Sequence, residues 1–301
     1  AVSGHGGNRP RLAGAVRNLL LFATPAVMDT VLFLVQFAVS YGAGERGLNT
    51  RQCAWLGGLF QIVYMAVSLA AGFVLSRRNA RRVLLASVVL AFLTASAALG
   101  TTAYRPLLAL MAGFGAASAL FFNAFQTFMR GEAPPGGLIR VTAFYTLAWS
   151  SGASAGFLVS GSLYRLGGLL LAALVLAATG LIFVLLWRHP ARPSDSASAD
   201  EHAETLAGRA AGAAESYVAV AWVLIFTAMF VQRPIQTFYP ALAGRAGVPA
   251  LLAGAPLFVH MLLQGVAGGA MARARRWLYR PGILAAVQLP AAALFLVLWR
   301  W

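Results

Sequence analysis

In the stretch PAVMDTVLFLVQF, residues 25 to 37, one carboxylate stands in an otherwise apolar run. Asp29 is the only acidic residue inside any long apolar segment of the chain. Pro25, Asp29, Leu32 and Gln36 follow spacings of four, three and four, which put a kink point and two polar groups on one helical face. A carboxyl so placed can carry a proton or bind a cation. It can equally be a neutral, hydrogen-bonded group between helices.

A second charge stands in FVQRPIQTFYP, residues 230 to 240, where Arg233 is followed by Pro234 and Gln236. Arg233 can approach Asp29 or an anionic solute group, or it can extend its long stem to an aqueous interface. Charges at mid-bilayer cost roughly 3 kcal/mol on insertion scales, so each asks for a partner or a job. At about 1.5 Å of rise per residue, the two Cα atoms fall about 8 Å apart along the membrane normal.

Uncharged polar groups add further candidates for a solute path. Gln61, Tyr64 and Ser68 share a helical face, as do Asn123 and Gln126, Tyr145 and Trp149, and His260 and Gln264. Amides, hydroxyls and aromatic rings suit a polar organic solute, while for any one of them a hydrogen bond between helices is the simpler reading. Gly152, Gly156 and Gly161 are expected to let helices pack closely. His260 has no second histidine or carboxylate at ligand spacing, so no metal is expected.

Composition says what must position these groups. Sixty per cent of the 301 residues are hydrophobic and ten per cent are charged, which places the chain in a lipid bilayer. The net charge of +15 comes from 23 basic residues, all arginine, set singly or in short clusters between apolar runs. That pattern makes no basic domain, and nucleic-acid binding is not expected. The single cysteine, Cys53, excludes an intrachain disulfide. No phosphate-binding glycine loop, zinc pattern or Gly-x-Ser-x-Gly elbow occurs, so no enzymatic activity and no cofactor is expected.

A membrane helix needs about 20 apolar residues, and nine stretches approach or meet that length. They lie near 18–41, 54–76, 83–103, 106–129, 141–164, 167–187, 217–240, 250–272 and 281–299. Rich in Ala, Gly and Leu, and with no alternation of polar residues, they predict an all-α polytopic bundle and no transmembrane barrel. If the N-terminus is cytoplasmic, sixteen arginines fall inside and seven outside, the bias expected of that topology. The first run is long and follows a polar, arginine-bearing segment, as an uncleaved first span would. One long polar interval, residues 189 to 216, reads as a flexible or partly helical cytoplasmic linker that divides six spans from three.

The arginine cluster after the second span reads GFVLSRRNARR, from Gly72 to Arg82. A shift of 196 positions lays Gly268 on Gly72 and Arg273 on Arg77, so the loop has an echo beyond the linker. Internal repeats of helical units mark many secondary transporters. The cluster resembles the Gly-x-Leu-x-Asp-Arg-x-Gly-Arg-Arg loop of the major facilitator superfamily. Gly72, Arg77, Arg81 and Arg82 fit, while Ser76 replaces the acid and Asn79 the second glycine. GFGAA at 113–117 is similar to the family's span 4 motif with Ala109 and Ala112 in place of its Arg and Gln. GASAGFLVSG at 152–161 resembles its span 5 motif with Phe157 in place of Pro.

The resemblance covers nearly the whole chain and implies two six-helix bundles joined by a cytoplasmic linker. It implies an N-terminal bundle at 1–188, the linker at 189–216 and the first three helices of a second bundle at 217–301, so that the chain reads as a fragment of a twelve-span protein. It further implies a cavity lined by spans 1, 2, 4, 5, 7 and 8, to which Asp29, Gln36, Gln61, Tyr64, Asn123, Gln126, Tyr145, Trp149, Arg233, Gln236, His260 and Gln264 would contribute. The loop would help hold the bundles together on the cytoplasmic side, weakened here by Ser76. The implied function is a permease of the cytoplasmic (inner) membrane that moves a small polar or organic solute by alternating access, with proton coupling through Asp29 as one reading. The missing span 4 arginine weakens an antiporter reading. A different class stays open: a transporter-like sensor, scaffold or assembly protein that moves nothing.

Overall fold

The computed structural model describes residues 9–132, 138–188, 223, 226–230, 232–273 and 282. Every regular element among them is helical: α1 (Arg9–Glu45), α2 (Thr50–Val74), α3 (Ala80–Gly100), α4 (Tyr104–Glu132), α5 (Leu138–Leu163), a 3₁₀ turn (Tyr164–Leu166), α6 (Gly168–Arg188), α7 (232–245) and α8 (Ala250–Arg273). Six helices among the described residues are long and apolar enough to cross a membrane, those beginning at Phe22, Thr50, Ala80, Tyr104, Gly168 and Ala250. The interval 189–216 and the ninth expected span, 281–299 save residue 282, lie outside the described residues, as does nearly all of the seventh span before 226.

Local chemistry sets the helix limits. The α2 helix starts at Thr50, earlier than its apolar run, because Asn49 and Gln52 form a reciprocal capping box: Asn49 Oδ1 accepts from Gln52 N at 2.8 Å and Gln52 Oε1 from Asn49 N at 3.0 Å. α1 runs on past residue 41 to Glu45 and ends at Gly47, whose φ of 73° is cheap only for glycine. There Gly47 N donates to Gly44 O at 2.9 Å and Leu48 N to Ala43 O at 3.1 Å. α7 likewise continues past Pro240 and ends at Gly247, φ 70°, with Gly247 N to Gly244 O at 3.2 Å and Val248 N to Ala243 O at 2.9 Å. The same two-bond cap thus closes both helices.

Packing follows the small residues. α5 lies between α1 and α8, α4 joins α2 to α3, and α6 packs on α3 and α1. Lipid tails are as apolar as leucine, so helix association there rests on close contact and hydrogen bonds. A β-carbon on Gly156 would stand 2.6 Å from the Thr30 carbonyl oxygen, and one on Gly161 2.9 Å from that of Ala250. Hydroxyls seal the same seams: Thr30 donates to Gly152 O at 3.1 Å, Ser160 to Leu34 O at 3.1 Å and Ser154 to Phe258 O at 3.0 Å. Between the seams Phe33, Phe37, Phe60, Phe114, Phe121, Phe125 and Phe157 are fully buried. Large apolar side chains such as Leu69, Phe73, Leu169, Leu176, Leu252 and Leu263 face outward, as a lipid-exposed surface requires.

Candidate solute and coupling site

The α1 face carrying Asp29 points into the packed centre of the bundle. Asp29 is 0 % exposed, and neither carboxylate oxygen accepts a hydrogen bond from any described residue. Its neighbour Thr30 offers no help, since its hydroxyl donates to Ala26 O at 2.9 Å and to Gly152 O. Gln36, two turns further along, is also buried.

Arg233 comes from α7 to the same region. Its guanidinium carbon lies 5.8 Å from the centre of the Phe33 ring, and its Nη1 makes a long contact of 3.5 Å with Gln236 Oε1. Phe33 is one turn along α1 from Asp29. The two charges interact through space without a direct ion pair. Tyr64 from α2 and Tyr145 from α5 share that electrostatic neighbourhood.

A cavity of about 50 Å³ opens beside Arg233, Tyr64 and Tyr145, lined among the described residues by these three with Leu32, Phe60, Gln61, Phe122 and Trp149, while Asp29, Gln36 and Gln236 are buried outside that lining. Five of the sequence-predicted residues therefore meet at one place, brought there by α2, α5 and α7. The volume suffices for about one or two waters. An organic solute enters only if the helices part.

Other candidates are engaged elsewhere. Asn123 Nδ2 donates to Ser68 Oγ at 3.0 Å and to Ala119 O at 2.8 Å, tying α4 to α2. Gln126 is exposed at its helix and hydrogen-bonded to Tyr145 beside the cavity. Gln264 accepts from Gln232 Nε2 at 3.0 Å, and Gln236 Nε2 contacts Met261 Sδ at 3.3 Å, so α7 and α8 are laced by amides. Gln232 was not singled out from sequence. Its spacing of four from Gln236 was the available signal. His260 is exposed and does not line the cavity.

A second cavity, of about 510 Å³, lies where α1 ends, among Glu45, Arg46, Tyr164, Arg165 and Gly168. Tyr164 donates to Glu45 Oε2 at 2.8 Å and stacks edge-on against Tyr41, 4.8 Å between centroids. Burial, and then the Glu45 carboxylate, push the Tyr164 hydroxyl above its usual range, so it remains a donor at neutral pH. At this end α1 and α7 cross on glycines. A β-carbon on Gly44 would overlap the Ala241 carbonyl, and one on Gly244 the Tyr41 carbonyl. Tyr41 Oη donates to Val248 O at 2.6 Å, and an Arg245 guanidinium nitrogen donates to Leu48 O.

The arginine loop makes local bonds first. Asn79 Oδ1 accepts from Ser76 N at 2.8 Å and Asn79 Nδ2 donates to Val74 O at 2.8 Å, so the residue at the expected glycine position closes the end of α2. Gly72 has open space around it, and Arg82 is exposed. Arg81 reaches the C-terminus of α6, donating to Trp187 O at 2.8 Å and to Leu186 O at 3.2 and 3.4 Å. A cation there satisfies orphan carbonyls and meets the negative end of the helix dipole. Arg81→Ala is expected to cost about 1–2 kcal/mol and to lower the thermal unfolding midpoint in detergent. Arg81→Lys should recover part of the loss, because one ammonium cannot fork across two carbonyls.

Comparison with protein families matches the model described as Major Facilitator Superfamily to residues 13–301. Comparison with curated proteins and with solved structures found no match.

Proposed function

The chain belongs to the Major Facilitator Superfamily and is a multi-pass membrane transporter of that family, and from this premise we propose that it moves a small polar or organic solute by alternating access, with Asp29 as a proton-coupling group. The observation that carries the reading is the conjunction of a cavity between α1, α2, α4, α5 and α7 with a buried carboxyl that has no hydrogen-bond partner among the described residues and stands one turn along α1 from Phe33, the ring that Arg233 lies over. Residues 1–188 form the first bundle in this reading, 189–216 link on the cytoplasmic side, and the second bundle begins at 217. The arginine bias supports a cytoplasmic N-terminus. The crossing of α1 and α7 then lies on the outer side.

Cys53 is the only cysteine, so Cys53→Ser supplies a clean background for Gln61→Cys in the cavity wall. A membrane-impermeant maleimide is expected to label Gln61→Cys from either side, in right-side-out and in inverted vesicles. Labelling confined to one side in every condition would reject alternating access and favour a sensor or scaffold.

A further inference from the structure

The cavity has an unequal charge inventory. Among the described residues Arg233 is the one charged group in its lining, and no carboxylate pairs with it directly. Arg233 is half-buried, and its guanidinium, held over a phenyl ring and against one amide oxygen, retains donors that no described residue uses, since the side chain carries five N–H groups in a planar fork. The rest of the wall is mostly rings, from Phe60, Tyr64, Phe122, Tyr145 and Trp149. A cation with free donors above flat apolar walls fits one class of solute, and it opposes the entry of cations.

We infer that the solute is a small organic monoanion with a flat apolar body, bound by the Arg233 fork, and that Asp29 competes with it for Arg233. The inference rests on the transporter reading and gives it a substrate class. Among the described residues an ionised Asp29 has no hydrogen-bond donor, and the opposite charge acting on it is that of Arg233, whose guanidinium lies over Phe33, one turn along α1. The titratable groups that interact with it through space are Arg233 from α7, Tyr64 from α2 and Tyr145 from α5. The charged residues of α3, α4 and α6 stand at helix ends, among them Arg81, Arg82, Arg105 and Arg188. When Asp29 takes a proton from water, an O–H bond forms and the guanidinium loses its counter-charge, so the solute anion binds in its place. Release on the opposite side breaks that O–H bond, returns the proton to water there and restores the Asp29 counter-charge to Arg233. One proton and one monoanion cross together, and the cycle moves no net charge.

The test is binding of three radiolabelled isosteres to the purified protein: phenylacetate, the neutral phenylacetamide and the cationic phenethylamine. Phenylphosphonate and benzenesulfonate serve as further anionic probes. At least one anion is expected to bind, with affinity falling up to about tenfold per pH unit as Asp29 ionises. Asp29→Asn should bind it at all pH values alike, Arg233→Lys should bind it more weakly, and Arg233→Gln should not bind it. Size-exclusion profiles establish that each variant is folded, and Arg233→Lys keeps the charge if Arg233→Gln does not fold. Binding of phenylacetamide or phenethylamine in preference to every anion, or no anion binding at all, overturns the inference. Two-sided labelling of Gln61→Cys with those negative results leaves the transporter reading standing. Anion binding without two-sided labelling sinks that reading and leaves the anion site.

Discussion

Replacing Gly44 by valine is expected to stop transport while leaving the protein folded and in the membrane. At this crossing the backbones of α1 and α7 touch, with Gly44 against the Ala241 carbonyl and Gly244 against that of Tyr41. A side chain on either glycine meets backbone, which cannot rotate away. Overpacking of this kind costs about 3 kcal/mol at its upper range, enough to disfavour the packed arrangement by about 100-fold relative to one in which the helix ends stand apart. Maleimide labelling of Gln61→Cys should then become fast from the side of the α1–α2 loop and slow from the other. Gly244→Val should repeat the phenotype, because the contact is reciprocal. Gly58→Val is the control, since nothing lies within 4 Å of a β-carbon there. Transport by Gly44→Val at the unmodified rate would show that closure at this crossing is not part of the cycle.

Asp29→Asn carries the second large expectation. The substitution keeps size and shape and removes the one group in the centre of the described bundle able to take up and give back a proton without a hydrogen-bond network around it. Uptake driven by a pH gradient into proteoliposomes should fall to the level of empty vesicles, while exchange of solute across the membrane at equal pH should continue. Stability should change little, because the relief of burying an amide in place of a carboxylate without hydrogen-bond donors is offset by the loss of the counter-charge of Arg233. Proton-driven accumulation that persists in Asp29→Asn would assign the coupling elsewhere.

The two substitutions probe different kinds of information. Asp29 could be picked out from the linear chain, since a lone acid in an apolar run is costly wherever the fold puts it. The glycine crossing could not be, although its trace is there: GAGERGL at 42–48 and LAGRAGV at 242–248 align at a shift of 200. The arginine loops align at 196, a difference of about one helical turn. The helix ends, capped at Gly47 and Gly247, and the arginine loops thus align in registers about one helical turn apart.

Membrane spans are written in composition, and so the helical class, the approximate limits of α1 to α6 and of α8, and the bilayer setting were open to reading from residue order alone. Helix ends shifted where polar side chains intervened, as with the Asn49 and Gln52 box before α2. Periodicity also showed which polar residues share a face, as with Gln61 and Tyr64 or Tyr145 and Trp149. What it could not say is which other face each one meets, because a helix apolar on every side carries no stripe to orient it. Only the packed structure put Gln61, Tyr64, Tyr145, Trp149 and Arg233 around one cavity, turned Asn123 to Ser68, left His260 exposed, and laid Gly44 on α7. Backbone contacts through glycine and single hydrogen bonds made those choices, and they depend on the rotation of each helix, which the residue order does not contain.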